Sequence, residues 1–229
     1  MRAVKISERN IMFTKPTVYG WDLNLGLILG DKRNYVIDTG VGLSSVQPIL
    51  DYIGDNKKPI AVINTHWHWD HVWGNWLFEN SLIISHSLCP KLIDKTWDEY
   101  VEKNSQHVLA GHVKKKLPNL VFEDKLYFCD DGVEIFYSPG HTEDCISVYD
   151  QRDKILHAGD NIGDTDEVIV PEIDTDLETF EKLLALYSKY DFDICISGHN
   201  KPRKKDVISR MSLALPDSWK KQLAAKSCN

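Results

Sequence analysis

Between Ile63 and Val72 the chain reads Asn64-Thr65-His66-Trp67-His68-Trp69-Asp70-His71, which sets four metal-capable side chains inside six positions. His66 and His68 are two apart, so on an extended turn they project to the same side, where two imidazoles can grip one ion. Asp70 and His71 follow at once. Four ligands from so short a segment do not fit around one small tetrahedral ion, and a second ion beside the first is the natural expectation. The plain alternative is a polar turn that happens to be rich in histidine. With only nine histidines in 229 residues, three of them in six positions beside an aspartate make chance a poor explanation.

Three later segments each put a metal-type residue at the end of an apolar run. Val133-Glu134-Ile135-Phe136-Tyr137 leads to Gly140-His141, Lys154-Ile155-Leu156-His157 leads to Gly159-Asp160, and Phe192-Asp193-Ile194-Cys195-Ile196 leads to Gly198-His199. A glycine before each ligand lets the backbone turn sharply off the strand end. Singly each is ordinary turn chemistry. Together with the first cluster they supply five histidines and two aspartates, about what two adjoining metals need.

This pattern resembles the metallo-β-lactamase fold superfamily. Its signature His-x-His-x-Asp-His is His66 to His71, and the later single His, Asp and His fall on His141, Asp160 and His199 in order. The resemblance implies an α/β fold, the four-layer αββα sandwich of that superfamily. It also implies two divalent ions, with zinc expected and iron or manganese as alternatives. One ion would take His66, His68 and His141, the other Asp70, His71 and His199, with Asp160 bridging. The secreted lactamases lack that bridging aspartate, so the chain is similar to the hydrolase branch, the glyoxalase II-like and lactonase-like binuclear enzymes. The activity expected is hydrolysis of a small thioester, lactone or related ester, with Asp70 as the catalytic residue that steers the proton of the attacking hydroxide. Two other activities stay open: a mononuclear iron sulfur dioxygenase, similar around Pro139 to Cys145, and a metal-dependent phosphodiesterase. A non-catalytic binding module has no need of seven intact ligands.

Length and composition suit a single domain over 1–229 with a sizeable core. The start, Met1 to Arg9, lacks a signal-peptide apolar run, and no segment approaches the ~20 apolar residues of a membrane span. Five scattered cysteines form no paired zinc spacing and point to a reducing, cytoplasmic home. Cys145, near His141, is read as core in preference to ligand.

The elements that must position the site are legible as short runs. Leu23 to Leu29 and Tyr35 to Asp38 read as hairpin strands, Leu43 to Ile53 as a helix, and Ile60 to Ile63 as the buried strand feeding the metal turn. Asp38, before Thr39-Gly40, reads as a brace for a turn, behind a metal-binding histidine. Thr175-x-x-Glu178 reads as a capping box opening a helix whose Leu177, Phe180, Leu183, Leu184 and Tyr187 share one face. The segment 87–118, with Leu92, Ile93, Trp97, Tyr100 and Val101 at helical spacing, reads as a helical insertion. It would be an active-site lid or a homodimer contact, against the bland reading of a surface helix pair with a solvated basic end. His86, His107, His112 and His157 lack the ligand pattern.

Aromatic residues crowd the metal turn, and Trp67 and Trp69 are expected to wall the substrate pocket while pointing away from their flanking ligands. Net charge is −7, yet Lys201, Arg203, Lys204 and Lys205 directly follow His199. Lys201 and Arg203 are candidate anchors for a substrate carboxylate or phosphate, with a solvated surface as the alternative. The acidic run from Asp164 to Asp176 would repel a long polyanion, which argues for a small-molecule substrate and against nucleic acid.

Overall fold

The computed structural model describes residues 1–17, 20–56, 58–104 and 113–226. The chain opens with four antiparallel strands, β1 (Arg2–Lys5), β2 (Asn10–Pro16), β3 (Asp22–Leu29) and β4 (Asn34–Ile37). Helix α1 (Leu43–Ile53) then crosses to β5 (Ile60–Ile63), which pairs parallel with β4. A short helix α2 (Trp69–Val72) follows the metal turn. After it come β6 (Leu82–His86), α3 (Cys89–Asn104) and β7 (Leu120–Phe122), so the first sheet has seven strands in chain order.

The second sheet holds β8 (Lys125–Phe128), β9 (Val133–Tyr137), β10 (Ile146–Asp150), β11 (Ile155–Gly159), β12 (Ile194–Ser197) and β13 (Arg203–Lys204), with α4 (Leu177–Lys189) between β11 and β12 and α5 (Val207–Lys226) after β13. Strand alternation assigns the layers. Leu25, Leu27, Val36 and Val62 face Val46 and Ile49 of α1. Their neighbours Tyr35, Ile37, Ala61 and Ile63 face the other way, onto Val133, Ile135, Ile146 and Val148 of the second sheet. Leu156 and Ala158 of β11 pack beneath Phe180, Leu183, Leu184, Tyr187, Met211 and Leu215 of α4 and α5. The order helix, sheet, sheet, helix is the αββα sandwich that the sequence resemblance implies.

One local expectation needs correction. The residue capping α4 is Asp176, whose carboxylate accepts from the Thr179 amide at 2.8 Å. Thr175 instead donates its hydroxyl to the Gly140 carbonyl at 2.7 Å. The box pattern misled because an aspartate one residue on is the better acceptor at that position. Among the described residues the insertion shows one helix, α3, and 113–118 has no regular structure; Lys114 and Lys115 are exposed, beside the Trp76 ring and Asp94. His107 and His112 lie outside the described residues. Among the described residues, no helix is long and apolar enough to cross a membrane.

Chain direction explains the site. Strands β4 and β5 are parallel, β11 and β12 are parallel, and β9 shares their direction because both β9 and β11 run antiparallel to β10. The segments after β9, β11 and β12 therefore leave the second sheet at one edge, where the segment after β5 of the first sheet joins them: together they carry all seven metal-type residues.

Candidate metal centre

The turn after β5 is tied down from both sheets. The Asp38 amide donates to the Ile63 carbonyl at 2.9 Å, the Thr39 amide to the His71 carbonyl at 2.8 Å, and the Ile146 amide of β10 to the Thr65 carbonyl at 2.8 Å. The turn bends through His66 and Trp67 and then winds into α2, which places Asp70 and His71 on a helical turn. The three preceding glycines act differently from one another. Gly159 has a φ of 55°, the left-handed turn expected of it, whereas Gly198 supplies room: a Cβ there would lie 2.1 Å from the Asp160 carboxylate.

All seven residues converge, in two groups. His66 Nε2 lies 3.0 Å from His68 Nδ1, which lies 3.1 Å from His141 Nε2. Asp70, His71 and His199 form the second group, with Asp70 Oδ2 at 3.7 Å from His71 Nε2 and 3.4 Å from His199 Nε2. Asp160 Oδ2 sits between the groups, 3.6 Å from His66, 3.9 Å from His141, 3.3 Å from His71 and 3.0 Å from His199.

The far side of each ring sets which nitrogen faces inward. His71 Nδ1 donates to Asp38 at 2.8 Å, His141 Nδ1 to the Glu172 carbonyl at 2.7 Å, and His199 Nδ1 to the Asp22 carbonyl at 2.9 Å. His66 Nδ1 lies 3.2 Å from the Thr65 hydroxyl, which spends its own proton on Asp38 at 2.7 Å and is left to accept. Each of these rings thus keeps its Nδ1 contact outward and turns Nε2 to the centre. His68 Nδ1 has at most one proton to share between the His66 and His141 nitrogens, both about 3 Å away, and a cation among the three would hold them all. Their spacing is close to the about 3.3 Å between two nitrogens on a tetrahedral ion with 2.0–2.1 Å bonds. His71 Nε2 and Asp160 Oδ1 are buried without hydrogen-bond partners, a cost that ligation would remove. The donor set fits two divalent ions.

Electrostatics divides the groups. Burial, reinforced by His141, pushes His68 down to about 3, and burial likewise holds His66 well below the ordinary range. Burial opposes charge on His199 as well, but Asp160 and Asp70 outweigh it and lift the imidazole to about 9. Burial thus disfavours charge on His66 and His68, whereas the carboxylates favour it on His199.

A family model described as the metallo-β-lactamase superfamily matches residues 19–199, a span that ends on His199 and contains the other six. The chain belongs to that superfamily. An acyl-coenzyme A thioesterase of Bos taurus, MBLAC2, is 28% identical over 202 residues, covering 77% of this chain and 72% of its own length. A hydroxyacylglutathione hydrolase of Nostoc punctiforme is 30% identical over 141 residues, covering 61% of this chain and 48% of its own. The crystal structure of DIM-1 metallo-beta-lactamase superposes with a TM-score of 0.73 at 19% identity, over 94% of this chain and 97% of that one. That last likeness is one of fold.

A cavity of about 230 Å³ opens on the centre, bordered by Asp70, Trp21, Trp69, Tyr100 and Asp164. Trp21 covers His199 with ring centroids 4.2 Å apart, and Tyr100 comes from α3, so the insertion does reach the site. Burial pushes the Asp164 carboxyl up, partly offset by His199. Trp67 and Trp69 pack toward α3 with Val72, Trp73, Ile93 and Trp97, but Trp67 does not point away from its flanking ligands: its ring lies 4.3 Å from that of His68, and Trp69 lines the same cavity as Asp70. The cations after His199 are committed elsewhere. Lys201 pairs with Asp166 at 2.6 Å, and the largely buried Arg203 pairs with the same carboxylate and with Asn200 at 2.9 Å. Both charges have a partner within the chain, and Lys201 remains exposed. Sequence reasoning missed Trp21, Tyr100, Asp164 and Asn161, whose side chain accepts from the His141 amide at 2.9 Å. Only Asn161, next to Asp160, had a positional signal.

Proposed function

We propose that this protein is a binuclear metal-dependent hydrolase, with zinc as the ion, that cleaves a small thioester, lactone or related ester. The observation that carries the reading is the position of Asp160 Oδ2 within 3.0–3.9 Å of four imidazole nitrogens drawn from both ligand groups. His66, His68 and His141 would hold one ion, Asp70, His71 and His199 the other, and Asp160 both. The named activities of the thioesterase and hydroxyacylglutathione hydrolase relatives support a thioester among the substrates.

Bound divalent ions at such a site supply water of near-neutral pKa and a positive charge against a polarised carbonyl. The chain's own groups do the rest. Asp70 borders the cavity and is the carboxylate placed to hold and steer the proton of the attacking water. Trp21, Trp69 and Tyr100 wall the cavity and limit water. Trp67 and Trp69 are proposed to contact substrate from the turn itself. Tyr100 at the cavity supports reading α3 as a cover of the site. Four described cysteines, Cys89, Cys129, Cys145 and Cys195, are free, which supports a reducing compartment and hence the cytoplasm.

The test is a hydrolysis screen of thioesters, lactones and phosphodiesters on metal-quantified protein, run beside an oxygen-uptake assay. Two equivalents of metal with thioester or lactone turnover are expected. One equivalent of iron with oxygen uptake would replace this reading with the dioxygenase.

A further inference from the structure

We infer that the substrate is an ester or thioester whose non-reacting tail carries a positively charged amine, seated in a second cavity beside the metal centre; this rests on the hydrolase reading above. The cavity over the metals, about 230 Å³, has room for a reacting group and little more. The adjoining one is larger, about 570 Å³, within the range of small-molecule sites. Sequence neighbours line the two. Trp67 lines the larger and His68 the smaller, with their rings 4.3 Å apart, and Thr142 and His141 divide in the same way. A substrate held by its carbonyl beside His68 would pass Trp67 to place its tail in the larger cavity.

The chemistry of that cavity selects the tail. Its charged residues are Glu143, Asp174 and Asp176, and no lysine, arginine or histidine is among its described lining. Asp176 keeps its negative charge while capping α4 through Thr179. Trp67 and Tyr137 add aromatic surface, which attracts a cation through the ring quadrupole. The smaller cavity carries the same sign, bordered by Asp164 and Glu172. A third cavity, of about 280 Å³ beside His199, does not: its Asp166 already holds Lys201 at 2.6 Å together with Arg203 and Arg210. Exposed carboxylates of one sign at the mouth of a cavity concentrate ligands of the opposite sign and turn away their own. The carbonyl is drawn to the metal ligands' side, the ammonium to the carboxylates, and a phosphorylated tail meets no lysine or arginine among the described residues lining the larger and smaller cavities. The reaction is ordinary hydrolysis: water adds to the acyl carbon, the C–S or C–O bond breaks, and the thiol or alcohol leaves with a proton.

The experiment compares three thioesters of one acyl group on metal-quantified protein. They are butyrylthiocholine, its neutral isostere S-(3,3-dimethylbutyl) thiobutyrate, and butyryl-coenzyme A as the polyanion. A second pair carries the ammonium or its neutral isostere on the acyl side. One cationic ester is expected to exceed its isostere in kcat/KM by about tenfold, with coenzyme A lowest. Raising salt from about 50 to about 500 mM should erode that preference and leave the neutral rate flat, because screening acts on the charge alone. Glu143→Gln should cut the cation-to-neutral ratio about threefold or more. Equal or better turnover of both neutral isosteres, or of the coenzyme A ester, overturns the inference while leaving the hydrolase intact. Absence of turnover on every ester by the metal-loaded protein overturns the hydrolase reading itself.

Discussion

The Asp38 carboxylate accepts from His71 Nδ1 at 2.8 Å and, with its two oxygens, from the amide and hydroxyl of Thr65, both at 2.7 Å. One buried side chain thus orients a histidine from each ligand group, His71 directly and His66 through Thr65. It does so from a left-handed backbone position, φ 61°, that asparagine tolerates as well as aspartate. Asp38→Asn therefore tests the hydrogen bonding without the strain. An amide cannot accept from all three donors, so metal affinity should fall about 10- to 100-fold. Titration against a competing chelator reads this directly. Two tightly bound ions in the variant, at parental affinity, would show that Asp38 serves the turn and not the metals.

Asp70→Ala should abolish or greatly reduce hydrolysis while the thermal transition stays cooperative, since the residue belongs to the second donor group and borders the cavity. Parallel kinetics and metal counts are the check. Near-normal turnover would mean that the second ion takes no part in the chemistry.

Lys201 and Arg203 now divide into a surface charge and a structural one. Arg203 has 11% of its side chain exposed and ties β13 to Asp166 and Asn200. Replacing it with glutamine removes the largely buried one of three cations gathered on Asp166 and should lower the denaturant midpoint more than the Lys201 change does. Lys201→Gln, far more exposed, should cost less than about 1 kcal/mol. For anionic and neutral thioesters of the same acyl group, KM should shift alike in both variants. A tenfold rise confined to the anionic ester would restore the anchor role that their sequence position suggests.

The ligands are legible in the sequence because metal chemistry restricts residue type and because each sits where an apolar run ends. Helix α1, strand β5 and the buried stripe of α4 are legible for the same reason, a clean period against a core. Asp38 reads as a brace from Thr39-Gly40 alone, and the structure gives it that place. The walls of the site are not legible. Trp21 reaches His199 from the entry to β3, and Tyr100 borders the cavity from α3, positions fixed by packing between segments far apart in sequence. Charge misleads for a related reason: Lys201 and Arg203 look free beside His199, and their partner Asp166 lies in a different loop.

His157 offers a test of the sandwich core apart from the metals. It projects from β11 toward the first sheet, buried, with Nε2 3.1 Å from Asn10 Oδ1, and burial pushes its imidazole from 6.5 down to about 3. The unfolded chain takes up a proton on this ring near pH 6.5, whereas the folded chain refuses it until about 3. The residue therefore costs no stability above pH 6.5 and withdraws it progressively as pH falls through that window. Each unit between the two values is worth about 1.4 kcal/mol, so the ceiling is several kcal/mol. A glutamine side chain does not titrate, and its amide can keep a donor near Asn10, so His157→Gln should flatten the acid side of the stability profile. Urea melts of both proteins at about pH 7.5 and about pH 4.5 read the difference, and the shared metal ligands cancel in the comparison. A loss on acidification equal in the two would show that the buried ring does not carry the acid sensitivity.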